Sequence, residues 1–217
     1  MLTPVNRLPL DVLCLIPLHL ASLGDRLRAT FVCRHWRRTF IQHATLWSQL
    51  DLTGTTDQLF VKTLLGRVKG SPLDITADYY GSPIYAVTLF SPFAQQIRSL
   101  ELEGASWDEV QDLSVAISGP LPFLRTLVIK AGGYLDDPDS LVAPTHPLFE
   151  GAVDLEFFCL EVYKFLSLRY FTFPNPTTLY FCTRKDEYPI SELLDFLEAS
   201  PALLRINIVA DRLREEL

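Results

Sequence analysis

Apolar and polar positions along the chain fall into two regimes. From Leu8 to Leu52 the apolar residues recur at helical spacing: Val12, Leu13 and Ile16 in one segment, then Leu27, Phe31, Val32, Trp36 and Phe40 in one or two more. Leu8-Pro9 opens the first helix, since proline suits a first turn and Asp11 suits the positive end of the helix dipole. Pro17 is expected to end or kink that helix. Gly24-Asp25 reads as a turn with Asp25 as N-cap. Leu46-Trp47 closes the segment. Its apolar residues outnumber what one small three-helix core can hold, so some of them await a partner.

Beyond residue 50 the period changes. Short apolar-x-apolar cores begin at Leu50, Leu73, Leu100, Leu127, Leu155, Leu179 and Ile206, at intervals of 23, 27, 27, 28, 24 and 27 residues. Between them, 57–69, 84–97, 108–117 and 190–197 carry helical spacing, the second interrupted by Pro92. One strand and one helix or helical turn per repeat at this period indicates a leucine-rich solenoid. The expected fold class is α+β to α/β: a small three-helix head over 5–49, fused to a leucine-rich-repeat-like solenoid over 50–217 with a parallel curved sheet of about seven strand cores. Leu50-Asp51-Leu52 fits as its first rung, which would join head and array without a linker. The longest loop is expected over 131–149, and a second interruption over 172–176. The last residues, 210–217, are expected to form a short helix over the last strand. Either that helix caps the array or the array is cut short there.

Composition adds a core and an uneven charge. Hydrophobic residues make up 48% and charged residues 21%, which places the chain among folded domains. The net charge is −7, yet residues 1–50 carry six arginines against two aspartates and so contribute +4, leaving −11 for the rest. A basic head on an acidic body suggests two surfaces with different partners. The acidic part would repel phosphate, so nucleic acid is not the expected partner. The basic run Arg34-His35-Trp36-Arg37-Arg38 reads as a partner-facing helix with Trp36 as its anchor, steering an acidic partner.

Four cysteines, Cys14, Cys33, Cys159 and Cys182, show neither CxxC nor a His pair at zinc-ligand spacing. They read as reduced thiols, which makes a cytoplasmic or nuclear location the expectation. The apolar run up to Leu20 is broken by Asp11, Pro17 and His19, unlike a signal peptide, and no run is long enough to cross a bilayer. Asp136, Asp137 and Asp139 lack the ligand spacing of a calcium loop. GxSxG and P-loop patterns are absent. No metal, no cofactor, no membrane partner and no catalytic residue is expected, and the chain is not expected to be an enzyme.

The head also carries a pattern of spaced residues: Leu8, Pro9, Asp11, Val12, Leu13, Ile16, Leu20, Asp25, Leu27, Ala29, Val32, Cys33, Trp36, Arg37, Leu46 and Trp47. It resembles the F-box motif, with Pro17 a departure from the usual first helix. The resemblance implies docking on the Skp adaptor of cullin–RING ubiquitin ligases, with Leu8, Pro9, Val12, Ile16, Leu20, Val32 and Trp36 as adaptor-binding candidates. An F-box followed by leucine-rich repeats resembles the F-box/LRR substrate receptors, and the irregular repeats fit divergent fungal-type members. That implies a substrate-recognition adaptor of a Skp/cullin/F-box (SCF) ligase. The alternative is an interaction scaffold of the same fold outside any ligase.

In an LxL strand the leucines face the core, and the residues between and beside them face the concave side. This makes Asp74, Glu101, Glu103, Glu156, Phe158 and Tyr180 the substrate-binding candidates. The face should be acidic in its first half and aromatic in its second. It would suit a protein substrate that is basic at one end and apolar at the other.

Overall fold

The computed structural model describes residues 8–20, 22–54, 57–78, 89–117, 119–131, 146–162, 168–183, 188–210 and 213–214. Asp136, Asp137 and Asp139, residues 79–88 and most of the expected long loop lie outside the described residues. The chain divides into two compact units, Met1–Asp51 with Asp57–Asp74, and Leu52–Thr56 with Ile75–Leu217.

The first unit holds α1 (Leu10–Leu18), α2 (Leu23–Ala29), α3 (Arg34–Gln42), a 3-10 turn (Ala44–Trp47), β1 (Gln49–Asp51) and α4 (Gln58–Val68). Helix α1 runs one residue past Pro17. The cap of α2 is Ser22, not Asp25: the Ser22 hydroxyl oxygen accepts from the Asp25 N–H at 3.0 Å. Asp25 sits inside the first turn, where a carboxylate is favoured. Its carboxyl is held below the usual range by hydrogen bonds from the Ser22 hydroxyl and from Arg28. Helix α3 is capped by a sulfur, since Cys33 Sγ accepts from the Trp36 N–H at 3.5 Å.

Leu13, Cys14, Leu23, Ala29, Phe40, Leu46 and Trp47 form the buried interior of this unit. Trp47 is fully buried, and its indole N–H donates to the Phe40 carbonyl at 2.9 Å. Arg67 of α4 lies 4.6 Å from the centre of the Trp47 ring. Helix α4 buries Val61, Leu64, Leu65 and Val68. It adds a fourth helix to a segment whose first three bury little surface by themselves. Arg26 is almost wholly buried. One of its terminal nitrogens donates to the Leu46 carbonyl at 2.9 Å, and burial lowers its pKa.

The second unit contains a sheet in the order β2 (Leu73–Asp78, from Ile75 onward), β3 (Ile97–Glu103), β4 (Thr126–Ala131), β5 (Phe157–Val162), β6 (Thr178–Thr183), β8 (Arg205–Ala210). From β3 onward every pair is parallel. Parallel neighbours require crossovers. One of them carries α5 (Trp107–Ala116), opened by a Ser106/Glu109 capping box, and another carries α6 (Ile190–Ala199). The unit is thus α/β with a parallel sheet. Two further strands, β7 (Tyr188–Pro189) and β9 (Leu213–Arg214), pair with each other. Residues 213–214 are therefore extended, not part of the helix expected over 210–217.

The register aligns Leu100, Leu127, Phe158, Leu179 and Ile206 across five strands. The first four are fully buried, and Ile206 on the edge strand is 50% exposed. The core expected at Leu155-Glu156-Phe157 is displaced by three residues: the paired core is Phe158-Cys159-Leu160. An odd shift exchanges the two faces of a strand. Ahead of β4, β5, β6 and β8 the chain makes the same backbone bond. The carbonyls of Arg98, Arg125, Glu156 and Thr177 each accept an N–H from the residues leading into the next strand of the sheet. Gly151 sits against the backbone of this second unit so closely that a Cβ there would lie 1.7 Å from the Gly119 carbonyl oxygen.

Candidate docking surfaces

Helix α1 is apolar almost all round, which suits a helix covered on both sides. Leu13 and Cys14 take the inner side, while Val12 and Leu15 are 44% and 53% exposed. None of the seven adaptor-binding candidates is fully buried. Pro9, Val12 and Val32 are exposed, and Leu8, Ile16, Leu20 and Trp36 are half-buried. Trp36 packs on Phe40 with ring centres 5.2 Å apart, and its indole N–H is buried without an acceptor among the described residues. Such a group is costly unless another molecule or a ring face meets it.

The turn between α2 and α3 holds a residue whose spacing pointed only to a helix. Phe31 is 72% exposed, and Val32 beside it is 58% exposed. The Arg37 guanidinium lies 5.4 Å from the centre of the Phe31 ring. A signal was present: the run Thr30-Phe31-Val32-Cys33 places two bulky apolar residues immediately before the α3 cap. A turn there cannot bury both.

In the second unit the face of the sheet away from the helices carries Glu101, Val128, Cys159, Tyr180 and Asn207 as one row. Glu103, Lys130, Glu161, Cys182 and Val209 form the next row. Glu101, Glu103 and Tyr180 lie on this face as expected and are half-buried. Phe158 does not. The odd register shift turns it to the helix side, where it is fully buried 5.0 Å from Phe171, 5.0 Å from Phe173 and 6.1 Å from Phe196 of α6. Cys159 takes its place. Glu156 precedes β5, exposed, and pairs with Arg125 at 3.6 Å. Asp74 belongs to the first unit and is half-buried.

Two of the three carboxylates in these rows share one cation. Lys130 Nζ donates to Glu101 at 2.8 Å and also to Glu103. These bonds hold the ammonium protonated well above its ordinary range. Beyond them two thiols line the face beside Glu161. Cys159 and Cys182 are both buried, and burial pushes the Cys159 thiol up to about 11. Among the described residues no three His, Cys, Asp or Glu side chains are grouped to hold a metal ion, and no helix is long and apolar enough to cross a membrane.

The F-box-like family model matches residues 5–53. The chain therefore carries an F-box-like domain, and F-box domains in general bind Skp adaptors. No curated protein matches the chain.

Proposed function

We propose that the chain is a substrate-recognition adaptor of an SCF ubiquitin ligase, acting in the cytoplasm or nucleus. The first unit docks on the Skp adaptor, and the parallel sheet of the second presents a leucine-rich-repeat-like face to a protein substrate. One observation carries the reading: the F-box-like match covers the segment in which Val12 and Val32 are exposed and Trp36 is half-buried while Leu13, Phe40 and Trp47 fill the interior. The repeat reading draws support from the aligned core positions Leu100, Leu127, Phe158, Leu179 and Ile206. In this reading the chain does no bond chemistry. Its contribution is to hold a substrate lysine near a ubiquitin-charged enzyme supplied by the complex, so that a bimolecular encounter becomes local.

The substrate surface would be the open face around Glu101, Glu103 and Tyr180. A basic substrate segment would meet Glu101 and Glu103 only in competition with Lys130, which limits the affinity those carboxylates can give. The test is titration of the full chain with purified Skp adaptor. Wild-type binding and a loss of about 2 kcal/mol or more with Trp36→Ala are expected, the scale of a central interface aromatic. Undiminished binding by Trp36→Ala would remove the docking assignment.

A further inference from the structure

We infer that Phe31, stacked by Arg37 and neighboured in sequence by Arg34 and Arg38, is a second anchor of the docking face, and that it enters an apolar socket bordered by carboxylates on the adaptor. The inference rests on the reading that the first unit docks there. Phe31 lies in the α2–α3 turn, outside the residues that the F-box resemblance assigns to contact.

Its exposure of 72% has no role in the interior of the unit. The side chain is nevertheless held. Arg37 stacks on the ring at 5.4 Å, within the range of a cation–π contact. Arg37 is itself tied to the turn, its Nε–H donating to the Thr30 carbonyl at 3.2 Å. The Phe31 N–H donates to the Arg28 carbonyl at 2.9 Å, and the Thr30 hydroxyl donates to Leu27 at 2.7 Å. The turn, the arginine and the ring therefore hold one another in position. An aromatic side chain ordered before contact loses little freedom on binding, which is what distinguishes an anchor from a floppy exposed ring.

The chemistry of the partner follows from charge. Arg34, Arg37 and Arg38 are exposed, and among the described residues none of the three lies in an ion pair. Arg28 in the same unit shows the contrast, with Asp25 at 2.8 Å. One guanidinium on an open ring, an exposed Val32 and two further exposed arginines on the same helix fit a protein surface that is apolar at the centre and acidic at the rim. The same cations could instead serve a nucleic acid, with Phe31 as a stacking platform.

The test measures adaptor binding and its rates for the full chain with Phe31→Ala, Phe31→Tyr and the pair Arg34→Glu/Arg38→Glu, alongside a labelled oligothymidine probe. Phe31→Ala should weaken adaptor binding by about tenfold or more, through faster dissociation, with Phe31→Tyr near wild type. The charge pair should slow association, with the deficit shrinking at about 0.5 M salt. The urea midpoint of Phe31→Ala should match wild type, because no core contact is lost. Adaptor affinity for Phe31→Ala within about twofold of wild type overturns the inference and leaves the docking reading standing. So does oligothymidine binding that is lost with Phe31→Ala while adaptor binding is kept. A wild-type chain that does not bind the adaptor removes both.

Discussion

Phe31 and Phe158 are the same side chain at opposite extremes. Phe31 stands open in the first unit with one arginine against its ring, while Phe158 is enclosed in the second by Phe171, Phe173 and Phe196. The cations around them differ in the same sense. Arg34, Arg37 and Arg38 face solvent without an ion pair among the described residues, whereas Lys130 is bound by two carboxylates of its own sheet. The first unit leaves both apolar surface and charge unsatisfied on one side. On its sheet the second ties Lys130 to two carboxylates and buries Phe158 among other aromatic rings. A surface of the first kind is incomplete without another molecule, while one of the second kind is stable when bare and can bind only by displacing contacts it already has.

The sharpest way to break the contrast is to shorten both rings. Phe158→Ala should destabilise the chain by about 3–5 kcal/mol, the cost of removing an aromatic from a packed interior. Phe31→Ala should stay within about 0.5 kcal/mol of wild type. Urea unfolding of the two variants under one condition measures both. Comparable losses would mean that Phe31 belongs to a core, and the docking role assigned to it would lose its basis.

How far these two residues could be placed from sequence differs for a physical reason. Helical spacing located α4 closely, because a stripe at 3.6 residues repeats along its eleven residues, but it left α2 and α3 as one or two helices and put a turn at Gly24-Asp25, inside α2. Strand faces rest on a period of two, so one odd slip inverts every side chain. That slip occurred at β5. Leu155 is as fully buried as Phe158, since it ends the turn leading into the strand, and Leu155-Glu156-Phe157 imitates a strand core. Phe158 and Cys159 changed places as a result. The Lys130 bridge was equally hidden. Glu103 and Lys130 are 27 positions apart, and only the β3–β4 register sets them side by side. Phe31 was visible as an apolar residue, but spacing alone could not decide between a helix interior and an open turn.

A smaller effect is expected from the open face of the sheet. Lys130→Gln leaves Glu101 and Glu103 on one face without their shared cation. The three groups are roughly a third exposed, so solvent screens the interaction. The loss should be about 1 kcal/mol or less at low salt and should shrink as salt rises. If substrate binding uses these carboxylates, the same variant should bind a basic peptide more tightly than wild type, because the internal competitor is gone. A loss of several kcal/mol would instead place Lys130 among the structural elements of the sheet, and the contrast with the arginines of α3, which lie in no ion pair among the described residues, would need another explanation.

The smallest effect separates the two regions by pH and reactivity. Cys159 is pushed from its ordinary 9.0 up to about 11, chiefly by burial. A folded-state value above the unfolded one means the native chain keeps a proton that the unfolded chain has released. Its contribution is complete below about pH 9 and is lost as pH climbs through 11. Lys130 acts in the same direction above its ordinary 10.5, because the carboxylates favour its charged form. Stability should therefore be insensitive to these two groups at neutral pH and should fall in alkali. Cys159→Ala should remove the earlier part of that fall while leaving the later part to Lys130. Alkylation gives an independent reading, since only a thiolate attacks and only an accessible one is reached. With iodoacetamide at about pH 8, Cys33, half-buried at the start of α3, should be modified before Cys159. Peptide mass spectrometry over time decides the order. Labelling of Cys159 first would show that the open face of the sheet, not the head, is the less protected of the two.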